Sequence, residues 1–416
     1  MELRKYLATG TCLIFLIFTI PCTAMVKGYW KIPFYYFTAS PENDKERFDL
    51  ETNLESDFPL YSVGKGFFSF KFYGNDLGGE SKGDLAIDEA YLDLYTLTTD
   101  IRLGKQYIFW GRADGTETPT NNINPVDYSR IKPDFEEQRI SINALKVNYF
   151  KDSALIFQGI WIPEFTPSKL PDFSFPSFIN LKNPRLPTSQ IKNSSWGIKI
   201  DRMGSRIDFS LSYLYTWDSF PDYEFDLSQI PIINLIPVHH RLQIYGADFA
   251  TTFEELDLRG EVAYFQTRDE NGDSLSIKNP NLRYILEVGY PVIENLNVIF
   301  QLVGKKVFHF KSPNEYPGLE SLAREFSVFY GEQKEWQNSL VVNLTHNIWH
   351  EKLKLEILSS YNLTMQEYLL SSQVSYELGG GFNLDFGGMV FEGKSNTQFG
   401  MMDDKDFLYL EIKQSF

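Results

Sequence analysis

Cysteine is almost absent from this chain. Of its 416 residues, only Cys12 and Cys22 are cysteines, and both lie within the first 24 residues. That segment opens with Met-Glu-Leu-Arg-Lys, continues with an apolar run and ends in Thr23-Ala24, which is the order of a cleaved secretory signal. We therefore predict a signal peptide over residues 1–24. The exported chain over 25–416 then has no disulfide, cysteine nucleophile or cysteine-based zinc cluster.

Long hydrophobic runs are also missing. The apolar part of the signal is shorter than the ~20 residues that a membrane-spanning helix needs, and no later segment approaches that length. The mean hydropathy is only -0.27, although 16% of the residues are aromatic, with 35 Phe and 24 Tyr. Strands that turn apolar side chains to lipid and polar side chains to a lumen produce this combination.

Basic clusters are absent as well, and the net charge of -16 argues against nucleic-acid binding. A hydrolase needs a nucleophile, a base and an orienting group within hydrogen-bond distance, and the sequence holds no recognisable set. We predict no enzyme, no metal and no cofactor. One alternative left open is a site formed by His239 or His240 with Asp248.

Apolar and polar residues alternate with a period of two along most of the chain. Near the C-terminus, Leu408, Leu410 and Ile412 alternate with polar residues, which predicts a strand with one apolar face. About eighteen such strands can be drawn, among them the fifth over 99–111 and another over 205–218, and the turns between them are alternately short and long, as in outer-membrane barrels. We predict an all-β fold: one closed antiparallel transmembrane β-barrel of 16 to 18 strands over 25–416, with short periplasmic turns and long extracellular loops.

The C-terminal Phe416 resembles the signal by which the barrel-assembly machinery recognises outer-membrane barrels. It implies that machinery and outer-membrane lipid as partners, and the outer membrane as the location. A soluble β-sandwich is the alternative explanation of the alternation, but sandwiches rarely sustain so many strands.

The most distinctive motif lies at residues 103–128. Leu103-Gly-Lys-Gln-Tyr-Ile-Phe-Trp-Gly-Arg112 precedes a loop with Asn121-Asn-Ile-Asn-Pro-Val-Asp-Tyr128, and segments 245–249 and 258–265 carry further short motifs. Together they resemble a family of outer-membrane barrels of unassigned function found alongside RND-type inner-membrane transporters. The resemblance spans most of the exported chain. It implies transport of oily or lipid-like molecules and an RND-type partner, with no known reaction.

The long loop 112–137 follows the fifth predicted strand, and in general porins that connection folds inward and constricts the pore. Its charges have both signs, as needed for a transverse field across a narrow gap. The alternative is an outer loop with solvated charges, held by an Asn-Pro turn. The candidate constriction residues are Arg102, Arg112, Asp114, Glu117, Asn124, Asp127, Arg130, Lys132, Arg259 and Glu261.

Two other long loops, 170–181 and 230–238, are unusually apolar for segments that face water. Exposed apolar patches usually mark a binding surface, so we predict an apolar ligand site at the barrel mouth. The alternative is that the two loops pack on each other as a lid. The candidate mouth residues are Phe173, Phe175, Phe178, Ile230, Ile232, Ile233, Leu235 and Ile236.

The sequence thus predicts an outer-membrane channel or transporter for small, hydrophobic or lipid-like molecules, narrowed by an inward-folded loop. Two other functions stay open. One is a general hydrophilic porin, and the other is a surface-exposed adhesin or structural barrel.

Overall fold

The computed structural model describes residues 25–38, 45–75, 82–115, 118–129, 132–133, 136–170, 179–229 and 232–416. The predicted signal peptide lies outside the described residues. The strands are β1 (Met25–Phe37), β2 (Glu46–Phe48), β3 (Leu50–Leu60), β4 (Gly64–Asn75), β5 (Lys82–Tyr95), β6 (Thr99–Gln106), β7 (Ile142–Phe150), β8 (Leu155–Ile162), β9 (Ile179–Leu181), β10 (Ser195–Arg202), β11 (Ile207–Trp217), β12 (Asp222–Gln229), β13 (Ile232–Val238), β14 (Arg241–Phe253), β15 (Leu256–Gln266), β16 (Asn281–Ile293), β17 (Leu296–Val307), β18 (Trp336–Ile348), β19 (Leu353–Asn362), β20 (Glu367–Gly379), β21 (Phe382–Glu392) and β22 (Phe407–Ser415).

The described ranges contain one α-helix, α1 (Glu320–Phe329). Short 3-10 turns lie at Glu136–Gln138, Ile191–Asn193, Pro313–Glu315 and Gly400–Lys405. No helix in the described part of the chain is both long enough and apolar enough to cross a bilayer.

The main sheet closes on itself as an antiparallel barrel. β1 pairs with β22 on one side and with β3 on the other. Because β2 and β3 succeed each other beside β1, the nineteen strands of this sheet fill eighteen positions around the barrel. Because the sheet is closed, it has no first or last strand with unpaired edges. The backbone N–H and C=O groups therefore bond to neighbouring strands, which is needed because lipid offers them no hydrogen-bond partner. The predicted barrel of 16 to 18 strands is confirmed.

The two faces of the barrel wall differ in polarity. On β15, Val262 is 39% exposed, whereas the preceding Glu261 is 3% exposed. On β22, Leu408 is 47% exposed and Tyr409 is 4% exposed. Successive side chains of a strand point to opposite faces, so the period-two alternation places apolar residues outside and charged or hydrogen-bonding residues inside.

Short turns and long connections alternate along the barrel, as predicted. The turn between β14 and β15 has Glu254 at a φ of 55°, and the turn between β16 and β17 has Asn295 at a φ of 69°, a backbone conformation common in tight hairpins. Long connections occupy the opposite end, between β6 and β7, β8 and β10, β11 and β14, and β17 and β18.

Part of the long connections folds into a separate layer, here called the cap, which consists of β9, β12, β13 and α1. β12 and β13 form a hairpin, and β13 pairs in parallel with β9. Tyr223 and Leu235 of the hairpin pack against Phe326 and Tyr330 at α1, and all four are buried. The cap therefore has an apolar core of its own.

Candidate functional site

The chain leaves the barrel wall after β6 and runs inside the barrel. We call residues 107–141, between β6 and β7, the inner loop. Ile108 and Trp110 at its start are each 2% exposed and pack in one cluster with the inward-facing Ile160, Leu214 and Ile244. The predicted fifth strand, 99–111, therefore ends earlier, at Gln106, because its last residues pack on the inside of the wall.

Trp110 contacts β8 and β10, the two strands that follow β7 around the barrel. Its indole N–H donates to the side-chain oxygen of Gln158 on β8, and its carbonyl accepts a 2.7 Å hydrogen bond from Nζ of Lys199 on β10. The Trp110-Gly111 pair of the motif thus lies where the inner loop starts to cross the lumen.

Arg112, the next residue of the inner loop, contacts a group of three carboxylates. Its Nε lies 2.7 Å from Oδ1 of Asp248 on β14, and its terminal nitrogens contact Asp201 on β10 and, at 3.9 Å, Asp208 on β11. Asp248 is only 4% exposed. A carboxylate buried to this degree needs a charged partner, and Arg112 supplies one.

Glu261 on β15 holds both ends of the segment 112–120. Its carboxylate accepts backbone N–H bonds from Arg112 at 2.7 Å, Ala113 at 2.8 Å and Thr120 at 3.1 Å, and a hydroxyl bond from Thr120 at 2.7 Å. Hydrogen bonds to an ionised group are stronger than neutral ones. Gly111 explains how the chain approaches so closely, since a Cβ there would lie 2.5 Å from Oε1 of Glu261.

Asp114 carries the loop to β16 and β17. Its backbone N–H donates to Oε2 of Glu287 at 2.8 Å, its carboxylate lies 2.7 Å from Arg259, and its carbonyl accepts from Gln301. The structure therefore brings together Arg112, Asp114, Arg259 and Glu261, four of the predicted constriction residues.

The remaining part of the inner loop contacts the other side of the barrel. Lys132 lies 3.1 Å from Glu51 on β3 and 3.3 Å from Glu137, and Lys31 on β1 lies 2.8 Å from Glu137. Burial alone raises the pKa of the Glu137 carboxyl, but the charges of Lys31 and Lys132 outweigh it and lower this pKa to about 2. Both lysines therefore fix Glu137 as a carboxylate.

Three other predicted constriction residues have different surroundings. Asn124 accepts from the backbone N–H of Ile108 at 2.7 Å and donates to the carbonyl of Ile140 at 2.9 Å, so it ties the two ends of the inner loop together. Arg102 pairs with Asp93 at 2.7 Å between β5 and β6.

Asp127 lies 3.3 Å from Lys169 in the next long connection. Glu117 and Arg130 lie outside the described residues.

Sequence reasoning did not place Thr120 of the loop in this site, and it missed the strand residues Asp201, Asp248, Glu287 and Gln301 as partners of the loop. The inward parity of Glu287 was readable from the alternation. The pairing of the others with the loop depends on the strand register, which sequence alone does not give.

The predicted mouth residues that are described all lie in the cap hairpin. Leu235 is 1% exposed within the cap core, Ile233 packs against that core, and Ile236 is half-buried. Ile232 is 41% exposed. Phe173, Phe175, Phe178 and Ile230 lie outside the described residues. Sequence reasoning did not predict α1, which covers the hairpin.

The structure does not bring together the residues of the alternative histidine site. His240 Nδ1 lies 2.9 Å from Asp222, and His239 Nδ1 lies 2.8 Å from the Asp218 carbonyl, both in the connection that carries the cap hairpin. Asp248 instead contacts Arg112. Among the described residues, no three His, Cys, Asp or Glu side chains are grouped to hold a metal ion.

Comparison with known proteins gives one family match. Residues 42–416 match the DUF1302 family, described as a protein of unknown function. None of the curated protein sequences is significantly similar to the chain.

Several solved structures share the fold. OccAB4 of Acinetobacter baumannii aligns with a TM-score of 0.57 and 11% identity over 94% of this chain and 98% of its own. OccK8 (OprE) of Pseudomonas aeruginosa gives 0.53 and 8% over 94% and 98%. OccK5 (OpdH) of the same organism gives 0.53 and 8% over 94% and 97%.

Identities this low establish the fold alone. With a family match over nearly the whole described chain, the protein belongs to the DUF1302 family, and its barrel has the fold of outer-membrane porins.

Proposed function

We propose that this protein is an outer-membrane channel whose lumen is narrowed by the inner loop and which passes small apolar or amphipathic molecules. The observation that supports it best is the hold of Glu261 on Arg112, Ala113 and Thr120. A loop bonded at buried positions to the far wall of a barrel is a fixed part of the passage, whereas an external loop with solvated charges needs no such bonds.

The two charged groups give the narrowed passage its electrostatic character. Arg112 and Arg259 lie among carboxylates of β10 to β16, and Lys31 and Lys132 lie among carboxylates on the other side. These charges pair with one another, so their role is to position the loop. The lumen-facing side chains that take no part in these ion pairs then decide which solute passes.

The apolar part of the substrate class rests on the cap. Ile232 and Leu181 are 41% and 46% exposed on the cap sheet, and they lie in the two predicted apolar loops, 230–238 and 170–181. Apolar side chains exposed in this way provide a first contact for an oily solute.

We further propose the partners and the location that follow from this function. The barrel is inserted in the outer membrane by the assembly machinery acting on β22, and an RND-type inner-membrane transporter exchanges solute with it. Catalysis has no part in the proposal. The proposed partner is tested by crosslinking in cells followed by purification of the barrel. We expect an RND-type transporter to co-purify, and repeated failure to recover one contradicts the proposed partnership.

Single-channel recording in planar bilayers tests the narrowing. We expect a small conductance for the natural chain and a larger, noisier one for Glu261→Gln, because a neutral amide loses the charge-assisted bonds to the loop. Glu255→Gln, at an exposed turn, is the matched control and should leave the conductance unchanged. A large, steady conductance that Glu261→Gln does not alter contradicts the proposal and favours an open hydrophilic porin.

A further inference from the structure

The inner face of β18, β19 and β20 differs from the rest of the lumen. Gln301 of β17 faces inward and is paired with Val341 on β18. Val341 is paired with Ser360 on β19, and Ser360 with Leu369 on β20, so all of these side chains lie on the inner face. Every second residue of 337–347, 354–362 and 369–375 therefore faces the lumen. We call this set the neutral lane.

The neutral lane is accessible where other inner faces are covered. Its residues are half-buried, with Leu369 as the one buried member. By contrast, Asp248, Glu261 and Glu287, on the inner faces of β14, β15 and β16, are 4%, 3% and 3% exposed beneath the inner loop. The inner loop thus covers the inner faces of β14, β15 and β16 and leaves the neutral lane open to solute.

The neutral lane carries almost no charge. Its two ionic side chains, Lys354 and Glu356, lie 2.8 Å apart and neutralise each other. Glu367, the inward position of β20 next to Leu369, is 2% exposed and accepts the backbone N–H of Phe399 at 2.6 Å, so its carboxylate is covered and does not face solute. Between that ion pair and the outer end the positions are hydroxyl and amide groups such as Asn343, Ser360 and Ser371, together with the apolar Val341 and Leu358. The faces that the inner loop covers, in contrast, concentrate the ion pairs: Arg112 with Asp201 and Asp248 at one side of the barrel, and Lys31 with Glu51 and Glu137 at the other.

A charged solute entering the neutral lane loses hydration and gains no opposite charge in return, which is costly in a narrow passage. An uncharged solute with hydroxyl or amide groups exchanges its water hydrogen bonds for those of Asn343, Ser360 and Ser371. Its apolar part contacts Val341 and Leu358. The chemistry therefore selects against net charge of either sign.

We propose that the neutral lane is the solute path of this barrel and that it takes uncharged amphipathic molecules bearing hydroxyl or amide groups. This inference rests on the proposed channel function and names its substrate class.

The test uses two probes of nearly equal size, p-nitrophenyl glucoside, which is neutral, and p-nitrophenyl glucuronide, which is an anion. The protein is reconstituted in liposomes that contain the matching glycosidase, and nitrophenolate release reports entry. We expect the natural chain to pass the glucoside about tenfold faster than the glucuronide, a difference that corresponds to ~1.4 kcal/mol. Equal rates for the two probes overturn the inference.

A charge placed in the neutral lane tests the path itself. Asn343→Lys should raise glucuronide entry several-fold, because it supplies the missing counter-charge, while glucoside entry stays within about twofold. Asn183→Lys, on an exposed outer connection, is the matched control and should change neither rate. Unchanged glucuronide entry in Asn343→Lys contradicts the assignment of the path.

The same preparation separates this inference from the proposed function. A natural chain that shows no conductance and passes neither probe contradicts the channel function, and the inference falls with it. A natural chain that conducts ions but excludes the glucoside leaves the channel standing and overturns the neutral lane as a path for uncharged solutes.

Discussion

Thr120 of the inner loop and Glu261 of β15 are joined by two hydrogen bonds to one carboxylate oxygen, from the backbone N–H at 3.1 Å and from the hydroxyl at 2.7 Å. Both residues are 3% exposed. The contact joins a loop that begins after β6 to a strand six positions further round the barrel, so it sets where the loop lies.

Thr120→Val removes the hydroxyl and keeps the shape of the side chain. We expect a loss of about 1.5–3 kcal/mol in the local stability of the loop, the usual contribution of a hydrogen bond to a charged group. Hydrogen–deuterium exchange of segment 112–120 in the detergent-purified protein measures it. Thr98→Val, at an exposed turn, should leave that exchange unchanged. Protection equal to that of the natural protein would show that the hydroxyl does not hold the loop.

Gly111→Ala places a Cβ 2.5 Å from Oε1 of Glu261. We expect the carboxylate to be pushed from the loop N–H groups at a cost of about 1–3 kcal/mol, as for other overpacked sites. Faster exchange of residues 112–120 and a larger channel conductance are the readouts. Gly159→Ala is the control, since a Cβ there meets no atom within 4 Å. The idea is wrong if the two variants behave alike.

Glu137 should make the inner loop sensitive to acid. Its pKa of about 2 lies below the ordinary value of 4.5, so its contacts stabilise the fold fully above about pH 4.5 and are lost as the pH falls towards 2. The protection of residues 136–141, measured as their exchange relative to the intrinsic rate at each pH, should therefore fall between pH 4.5 and 2, so that relative exchange rises. In Glu137→Gln this rise should be absent, because the amide does not titrate. A natural protein with flat exchange over that range contradicts the prediction.

Ile232→Asn tests the apolar mouth site. Ile232 is 41% exposed on the cap hairpin, so the change should leave folding intact and reduce uptake of an apolar solute by removing apolar contact area. Uptake of a fluorescent apolar dye by cells, with barrel assembly checked by heat-dependent gel mobility, measures both. Ile191→Asn, 83% exposed in another connection, is the control. Equal uptake by the two variants and the natural chain removes the mouth site.

The barrel could be predicted from the sequence because its signal is local and repeated. Each strand carries its own alternation, and the turns mark the ends, as for the predicted strand 205–218 and the observed β11, Ile207–Trp217. The end of β6 was missed for a physical reason. Ile108 and Trp110 continue the inward parity of Gln106, so the alternation is the same whether this chain stays in the wall or leaves it.

The candidate site was predictable only in part. Arg112 and Asp114 were indicated by their place in a long charged loop, and Glu261 by its inward parity on a strand. Which carboxylate meets which loop residue depends on contacts between residues more than a hundred positions apart, and local patterns contain no information about such pairs.

The helix α1 escaped prediction for another reason. Its ten residues form an element too short to be stable alone, and its apolar face is explained only by the cap hairpin that it covers.

The pairing of β1 with β22 has a consequence for how the barrel comes to exist. The indole of Trp30 and the amide of Gln414 bond across that seam although they are 384 positions apart in the chain. The entropy of closing so long a loop is recovered only when the whole ladder zips together. The seam therefore forms late, and until then both edge strands present unpaired backbone groups that invite aggregation. Keeping these two edges apart from other chains until the seam closes is the physical requirement of this geometry.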